Sequence, residues 1–208
     1  EILRCLVGSE MCIRDRDYYV MEEVAAFIAR MKKMGRRPYP ISVNASILHT
    51  ANEETVRMYQ EILDRYGVEY SLVEIELTET ATVTNYESAK RLFQQFQDAG
   101  FRTAMDDFGA GYSVLNMVID VPVNIVKLDR IFISSCESSE RGLCFLQQLI
   151  TLIRDMGYQV LCEGVETEEQ AKILKEAGCD LGQGYLISKP VPIEEFEKLV
   201  YGEQINEE

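Results

Sequence analysis

Two adjacent carboxylates, Asp106 and Asp107, close the run Phe101-Arg-Thr-Ala-Met-Asp-Asp-Phe-Gly-Ala-Gly, where an apolar strand pattern breaks into a glycine-rich loop. Four further strand-like runs carry polar or charged groups at the same end. They bring Asn44, the pair Glu76 and Glu79, the pair Lys127 and Asp129, and the pair Glu163 and Glu166. If these strands lie parallel in one sheet, Glu76, Asp106, Asp107 and Glu163 meet at one rim. So many carboxylates in a small volume cannot all stay ionised without positive charge beside them. One lysine is too little, and hard divalent cations held by oxygen ligands meet the need. The pattern therefore predicts a Mg²⁺ or Mn²⁺ site, with two ions.

The elements that must position these groups alternate strictly. Helical spacing runs over Asp17–Met34, Asn52–Tyr66, Asn85–Ala99, Glu140–Met156, Thr167–Ala177 and Ile193–Tyr201. Strand-like runs cover Pro40–Ala45, Tyr70–Leu77, 101–106, Val123–Leu128, Gln159–Cys162 and Leu181–Ile187. This rhythm indicates an α/β protein with a parallel sheet. Functional groups at the ends of many different strands favour a TIM-like (β/α) barrel over a doubly wound sheet, which gathers its site at one switch point. A full barrel has eight strands in about 250 residues; six in 208 residues leave it incomplete, short of about two N-terminal strands.

Composition narrows the partners. A formal net charge of −14 argues against a polymeric nucleic-acid groove or an anionic membrane surface. An anionic small substrate would need metal ions or a local basic patch. The six cysteines show no zinc spacing with the single histidine, His49, and read as reduced packing residues of a cytoplasmic protein. No apolar run reaches the ~20 residues of a membrane span.

Ser42-Val-Asn-Ala-Ser46, Glu76-Leu-Thr-Glu79, Asp106-Asp-Phe-Gly-Ala-Gly-Tyr-Ser113, Val126-Lys-Leu-Asp129, Glu163-Gly-Val-Glu-Thr167 and Gln183-Gly-Tyr-Leu-Ile-Ser-Lys-Pro190 resemble, in order and spacing, the EAL-domain family of cyclic-di-GMP phosphodiesterases. The resemblance implies hydrolysis of cyclic-di-GMP to linear pGpG. It implies that Asn44, Glu76 and Asp106 are metal ligands and that Asp107 serves the second ion. Lys127 would hold the nucleophilic water, and Glu163 would bind metal or act as base. Gln183 belongs to the site, with Tyr185 in the adjoining substrate-facing segment, and Glu79 would fix the loop from Phe108 to Ser113, tied in the family to metal binding and dimerisation.

The chain departs from the family at its start. The Glu-Ala-Leu motif, with its metal-ligand glutamate and a following phosphate-contacting arginine, is not present, and the family spacing places it before residue 1. Residues 1–16 read as a non-native or unassignable segment, 17–202 as a partial barrel domain and 203–208 as an acidic tail. The chain alone is accordingly expected to be inactive and to form a homodimer. In the parent protein the resemblance implies an upstream sensory or diguanylate-cyclase domain, with membrane anchoring of that parent left open. The alternative is a degenerate receptor module that binds cyclic-di-GMP or a protein partner. Plainer readings stand beside these: Asn44 as a turn-former, His49 as a loop or helix-start residue, Lys127 paired with Asp129 as a strand lysine, Glu166 capping the following helix through Thr167, and Gly109 and Gly111 supplying loop flexibility.

Overall fold

In the computed structural model, residues 10–46, 54–79, 82, 86–109 and 119–202 are described. His49, most of the loop ending at Ser113 and the acidic tail lie outside them.

Helix α1 (Glu10–Lys33) buries Met21, Ala25, Ile28 and Met31 along one stripe. It begins seven residues before the helix expected from Asp17, because no glycine or proline interrupts the stretch and backbone bonding continues past the end of the apolar stripe. Strand β1 (Ile41–Asn44) follows, then α2 (Thr55–Tyr66). Gly67, at φ 64°, ends α2 in the left-handed conformation and returns its N–H to the carbonyls of Asp64 and Leu63. A short 3₁₀ turn at Tyr70–Leu72 precedes β2 (Val73–Thr78), so the strand starts three residues later than its hydrophobic run.

Helix α3 (Tyr86–Asp98), strand β3 (Arg102–Phe108) and strand β4 (Ile125–Leu128) come next. Helix α4 (Arg130–Cys136) then starts on Asp129, whose Oδ1 accepts a 2.7 Å hydrogen bond from the Ile131 N–H. Its three consecutive apolar residues, Ile131 to Ile133, show no helical period, and sequence reasoning passes over it. Helix α5 (Glu140–Asp155), strand β5 (Gln159–Cys162) and helix α6 (Glu168–Glu176) complete the middle of the chain. Thr167 and Gln170 form a reciprocal capping box on α6; Gln170 Oε1 also accepts the Glu166 N–H at 2.8 Å, while the Glu166 side chain pairs with Arg130 at 3.1 Å.

The last strand, expected over Leu181–Ile187, holds only as β6 (Leu181–Gly182). The chain turns at Gly184, which packs against the Val165 backbone so closely that a Cβ there would overlap it. The Ile187 and Ser188 N–H groups close that turn on the Gly184 carbonyl, and Leu186 donates to Val165 O. Helix α7 (Ile193–Tyr201) ends the fold at the expected boundaries.

All five strand pairings are parallel and the order is β1-β2-β3-β4-β5-β6, a curled half-barrel with helices on its outer face. Val73, Ile75, Leu77, Met105, Val126, Leu128 and Val160 belong to the core that the sheet shares with Phe93, Phe96, Leu146 and Ile150 of the helices. The curl brings the first and last helices together: Phe27 meets Phe196 with centroids 6.0 Å apart, Arg36 lies 4.9 Å from the Tyr201 ring centroid, and Arg30 pairs with Glu197. Among the described residues no helix is long and apolar enough to cross a membrane. Cys136, Cys144, Cys162 and Cys179 are free thiols, and burial pushes Cys162 up to about 12, which suits a packing role.

Among the described residues each of β1 and β6 has one strand neighbour, so the described sheet presents two edges. Sedimentation velocity of the 208-residue chain should show concentration-dependent self-association. A monodisperse monomer that unfolds cooperatively would refute this.

Candidate functional site

Parallel order puts the C-terminal ends of all six strands on one rim. On β2, Glu74 and Glu76 alternate with the core-facing Val73, Ile75 and Leu77, so both glutamates face the concave side. The same alternation turns Lys127 of β4 inward. Its ammonium lies 2.9 Å from Glu76 Oε1, 2.9 Å from Asp106 Oδ1 and 2.7 Å from Glu163 Oε1. Lys127 is 4% exposed and Glu76 5%. Three carboxylates from three strands therefore converge on one ammonium, and Asp129 holds the start of α4 instead of pairing with it.

Reaching Glu76 from β4 means crossing β3. The β3 residue in register with Glu76 on one side and Ile125 on the other is Ala104. Its single methyl leaves the lysine a path.

Adjacent strand residues normally point to opposite faces, yet Asp106 and Asp107 both serve the rim. The reason is a β-bulge. Met105 pairs with Val126 and Phe108 with Leu128, so two residues of β3 stand opposite Lys127 alone. Asp107 takes up the extra residue at φ 56°, the one positive-φ residue other than glycine among the described residues. Aspartate tolerates that conformation better than most side chains. As a result one ligand oxygen from each of Asp106, Asp107 and Glu163 lies within 4.8 Å of the others.

Behind the bulge, the Gly109 N–H donates to Glu79 Oε2 at 2.8 Å, and Glu79 is 4% exposed. Gly109 has φ 93°, and a Cβ on it would overlap the Phe132 ring. It is thus a close-packing position, where sequence reasoning saw only flexibility. Phe132 continues a stack from Phe108 to Phe145, at centroid distances of 6.5 and 6.2 Å.

The electrostatics are unbalanced. Burial alone would lower the Lys127 pKa, but the charge of Glu76, hydrogen bonds to Glu163 and Glu76, and the charge of Asp106 raise it above its ordinary value. Glu76 is also raised, first by burial and further by Asp106, against the pull of Lys127. Asp107 is raised by burial and by the charges of Asp106, Asp129 and Glu163. The two partners of the Lys127–Glu76 pair thus move in opposite senses for stability: the lysine favours its charged form, the glutamate its neutral one. The lysine's direction follows from one ammonium facing several acids, the glutamate's chiefly from burial.

Asp106 Oδ1 is buried without a hydrogen bond, because its contact with the ammonium falls outside hydrogen-bond geometry. A buried carboxylate oxygen with spare lone pairs, next to two more carboxylates, fits a hard divalent cation.

Other predicted residues stand further out. Asn44 ends β1 in register with Glu76 and is exposed. Gln183 follows β6; its backbone N–H donates to Cys162 O and its carbonyl accepts from Val165 N, while its side chain is exposed. Tyr185 lies in the next turn, 58% exposed, with the Lys189 ammonium 5.5 Å from its ring centroid. Sequence reasoning missed Asp17, a buried residue of α1 whose Oδ2 accepts the Ser46 N–H at 3.1 Å, just beyond Asn44. Nothing in a helical aspartate advertises that contact.

Comparison with known proteins now places the chain. The EAL domain family model matches residues 9–190, and the chain belongs to that family. It is 29% identical over 88% of its length to the cyclic di-GMP phosphodiesterase NbdA of Pseudomonas aeruginosa, of which it spans 24%. The solved PaMucR phosphodiesterase in complex with c-di-GMP superposes with a TM-score of 0.78 at 28% identity, covering 86% of this chain and 72% of that one. The manganese and cy-diGMP complex of BlrP1 from Klebsiella pneumoniae gives a TM-score of 0.72 at 27% identity, covering 83% and 45%. The chain spans 20% to 27% of the first four curated relatives it matches.

Two outcomes are expected. Ala104→Leu should block the path of Lys127 and destabilise the chain by about 1–3 kcal/mol through overpacking, lowering the urea midpoint more than Met105→Leu at the buried neighbouring position; equal effects would remove Ala104's special place. The second concerns pH. A raised Glu76 pKa means the native state holds that proton more tightly than the unfolded chain, so this group's contribution falls as pH rises from 4.5 through the raised value. Urea unfolding without metal should therefore show Glu76→Gln gaining relative to the parent as pH rises from 4.5 towards neutrality, and a parallel pH dependence would contradict it.

Proposed function

We propose that this chain forms the catalytic half of a cyclic-di-GMP phosphodiesterase site and that the reaction adds water across one phosphodiester bond. The water oxygen bonds to phosphorus, the ribose oxygen leaves with a proton, and the ring opens to linear pGpG. What carries this reading is the convergence of Glu76, Asp106, Asp107 and Glu163 around Lys127 at one rim of an EAL-family barrel.

Asn44, Glu76 and Asp106 would hold one Mg²⁺ or Mn²⁺ ion and Asp107 the second. When bound, such ions lower the pKa of water and stabilise the attacking and leaving oxygens of an in-line displacement. The chain's own residues do the rest. Lys127 orients the attacking water through an ammonium whose raised pKa keeps it charged at neutral pH. Glu163, 2.7 Å from that ammonium, accepts metal or proton. Glu79 fixes the bulge by holding Gly109. Gln183 and the exposed Tyr185 ring offer a polar group and an apolar face to the dinucleotide. The same reading puts the domain in the cytoplasm as a homodimer, within a longer protein that carries a sensory or diguanylate-cyclase domain. It also assigns a further ligand glutamate to the Glu-Ala-Leu segment of that longer protein, and expects little turnover without it.

The test uses the domain together with its native upstream segment. With Mg²⁺ or Mn²⁺ it should convert cyclic-di-GMP to pGpG by chromatography, and chelation should stop it. Asp106→Asn and Glu76→Gln should fall to background. Glu79→Gln, acting through the loop, should lose on the order of 10–100-fold. Tight binding of cyclic-di-GMP with no pGpG under any metal would favour the receptor reading instead.

A further inference from the structure

Beneath the carboxylates lies a second tier of polar side chains on the same concave face. Arg102 of β3 places Nε 3.4 Å from Glu74 Oε2 and donates from Nη2 to Gln159 Oε1 at 2.7 Å. Ser42 of β1 donates to Glu74 Oε1 at 3.0 Å. The Glu74 side chain is 7% exposed and that of Arg102 32%. The tier therefore links β1, β2, β3 and β5, passing over β4 where Ile125 stands in register with Gln159.

Its members are spaced regularly with respect to the site. Ser42 lies two residues before Asn44 and Glu74 two before Glu76, while Arg102 lies four before Asp106 and Gln159 four before Glu163. Even spacing on a strand keeps a residue on the same face. Every strand that carries a proposed ligand is thus held from below by a residue of this tier, and the strand it skips is the one that carries Lys127.

We propose that Arg102 is a positioning residue for the cation site: by tying β2, β3 and β5 together one tier down, it sets the spacing at which Glu76, Asp106 and Glu163 meet a divalent cation. The proposal rests on the metal-site reading above. One physical condition makes the tie necessary. The upper tier sets the carboxylates of Glu76, Asp106, Asp107 and Glu163 near one ammonium, and their mutual repulsion pushes the strand tops apart. Arginine suits the task because its rigid planar fork presents separate donors to Glu74 and Gln159 in a fixed geometry, whereas a lysine is a flexible point charge that does not set their relative position.

The experiment combines Mn²⁺ titration calorimetry with amide hydrogen exchange on the domain together with its native upstream segment, the parent for the variants below. Three strand-top amides report position: Ala45 N–H donates to Glu76 O, Asp129 N–H to Phe108 O and Glu163 N–H to Leu128 O. Arg102→Met should weaken Mn²⁺ binding about tenfold, as loss of a ligand-orienting contact does, and should speed exchange at these amides selectively. Arg102→Lys should recover only part of both effects. Because Arg102→Met strands a buried Glu74, the double change Arg102→Met with Glu74→Met supplies a foldable apolar tier, which should still bind Mn²⁺ weakly. Ile150→Val in the α5 core serves as the control for general destabilisation, speeding exchange without selecting the strand tops. If the single and double variants keep the parent's Mn²⁺ affinity and strand-top protection, the proposal is overturned. If the parent fails to bind Mn²⁺ while Arg102→Met still loosens the strand tops, the metal reading fails and Arg102 is left as a strand tie with no cation site to position.

Discussion

One buried ammonium holding three carboxylates from three strands is the constraint on which the rest of this structure depends. At about 4 Å a pair of unit charges interacts by roughly 4 kcal/mol at an effective dielectric of 20. Lys127 makes three closer contacts, while burial opposes the charge of every member. The arrangement persists only if β2, β3, β4 and β5 keep their register, because a one-residue slip would carry each side chain to the opposite face. The helical layer secures that register from outside through a continuous apolar core, and Arg102 with Glu74 and Gln159 secures it from inside. A lysine that satisfies several acids still leaves a surplus of negative charge. The spare lone pairs of Asp106 Oδ1 express that surplus, and the charge of Asp106 adds to burial in raising the Glu76 pKa.

The bulge at Asp106 and Asp107 shows how the chain concentrates ligands. A regular strand delivers one inward side chain every two residues, and the left-handed turn at Asp107 makes two neighbours available to one site. Such a residue needs support, and it comes from both sides. Phe108 anchors the strand end in the core, and Glu79 binds the Gly109 N–H that the bulge would otherwise leave without a strand partner. Phe132 fills the space that only a glycine at 109 leaves open. The loop is therefore tightly specified at its base, whatever follows it.

Much of this could be read from the residues in order. Helix periods ending at Gly67, Gly100 and Gly157, and acids at the ends of apolar runs, encode a parallel arc and its rim locally. What escaped reading depends on pairs distant in sequence or on shape. Arg102 looks like an ordinary strand residue until the fold sets it beside Glu74 and Gln159, 57 residues away. Asp17 sits in a helix 29 residues from the amide it binds. Helix α4 has no apolar period of its own because packing against α5 orders it. The shortened β6 follows from the meeting of Gly184 with the Val165 backbone, which no local propensity contains.

The charge of the protein gives the site its final logic. A chain of net charge −14 repels a dianionic dinucleotide at long range. The cations near the rim are already engaged: Lys127 with Glu76, Asp106 and Glu163, Arg130 with Glu166, and Arg102 with Glu74 in the tier below. An ammonium held by three carboxylates presents little net positive potential to an approaching phosphate, so these side chains polarise and orient but do not attract. Charge added to the rim would supply that attraction, and the carboxylates of Asp106, Asp107 and Glu163, which outnumber the one ammonium beside them, are groups able to hold it. On the proposed function, the acidity that would exclude a dianionic substrate from a bare surface would, at this rim, recruit the cations that bind it.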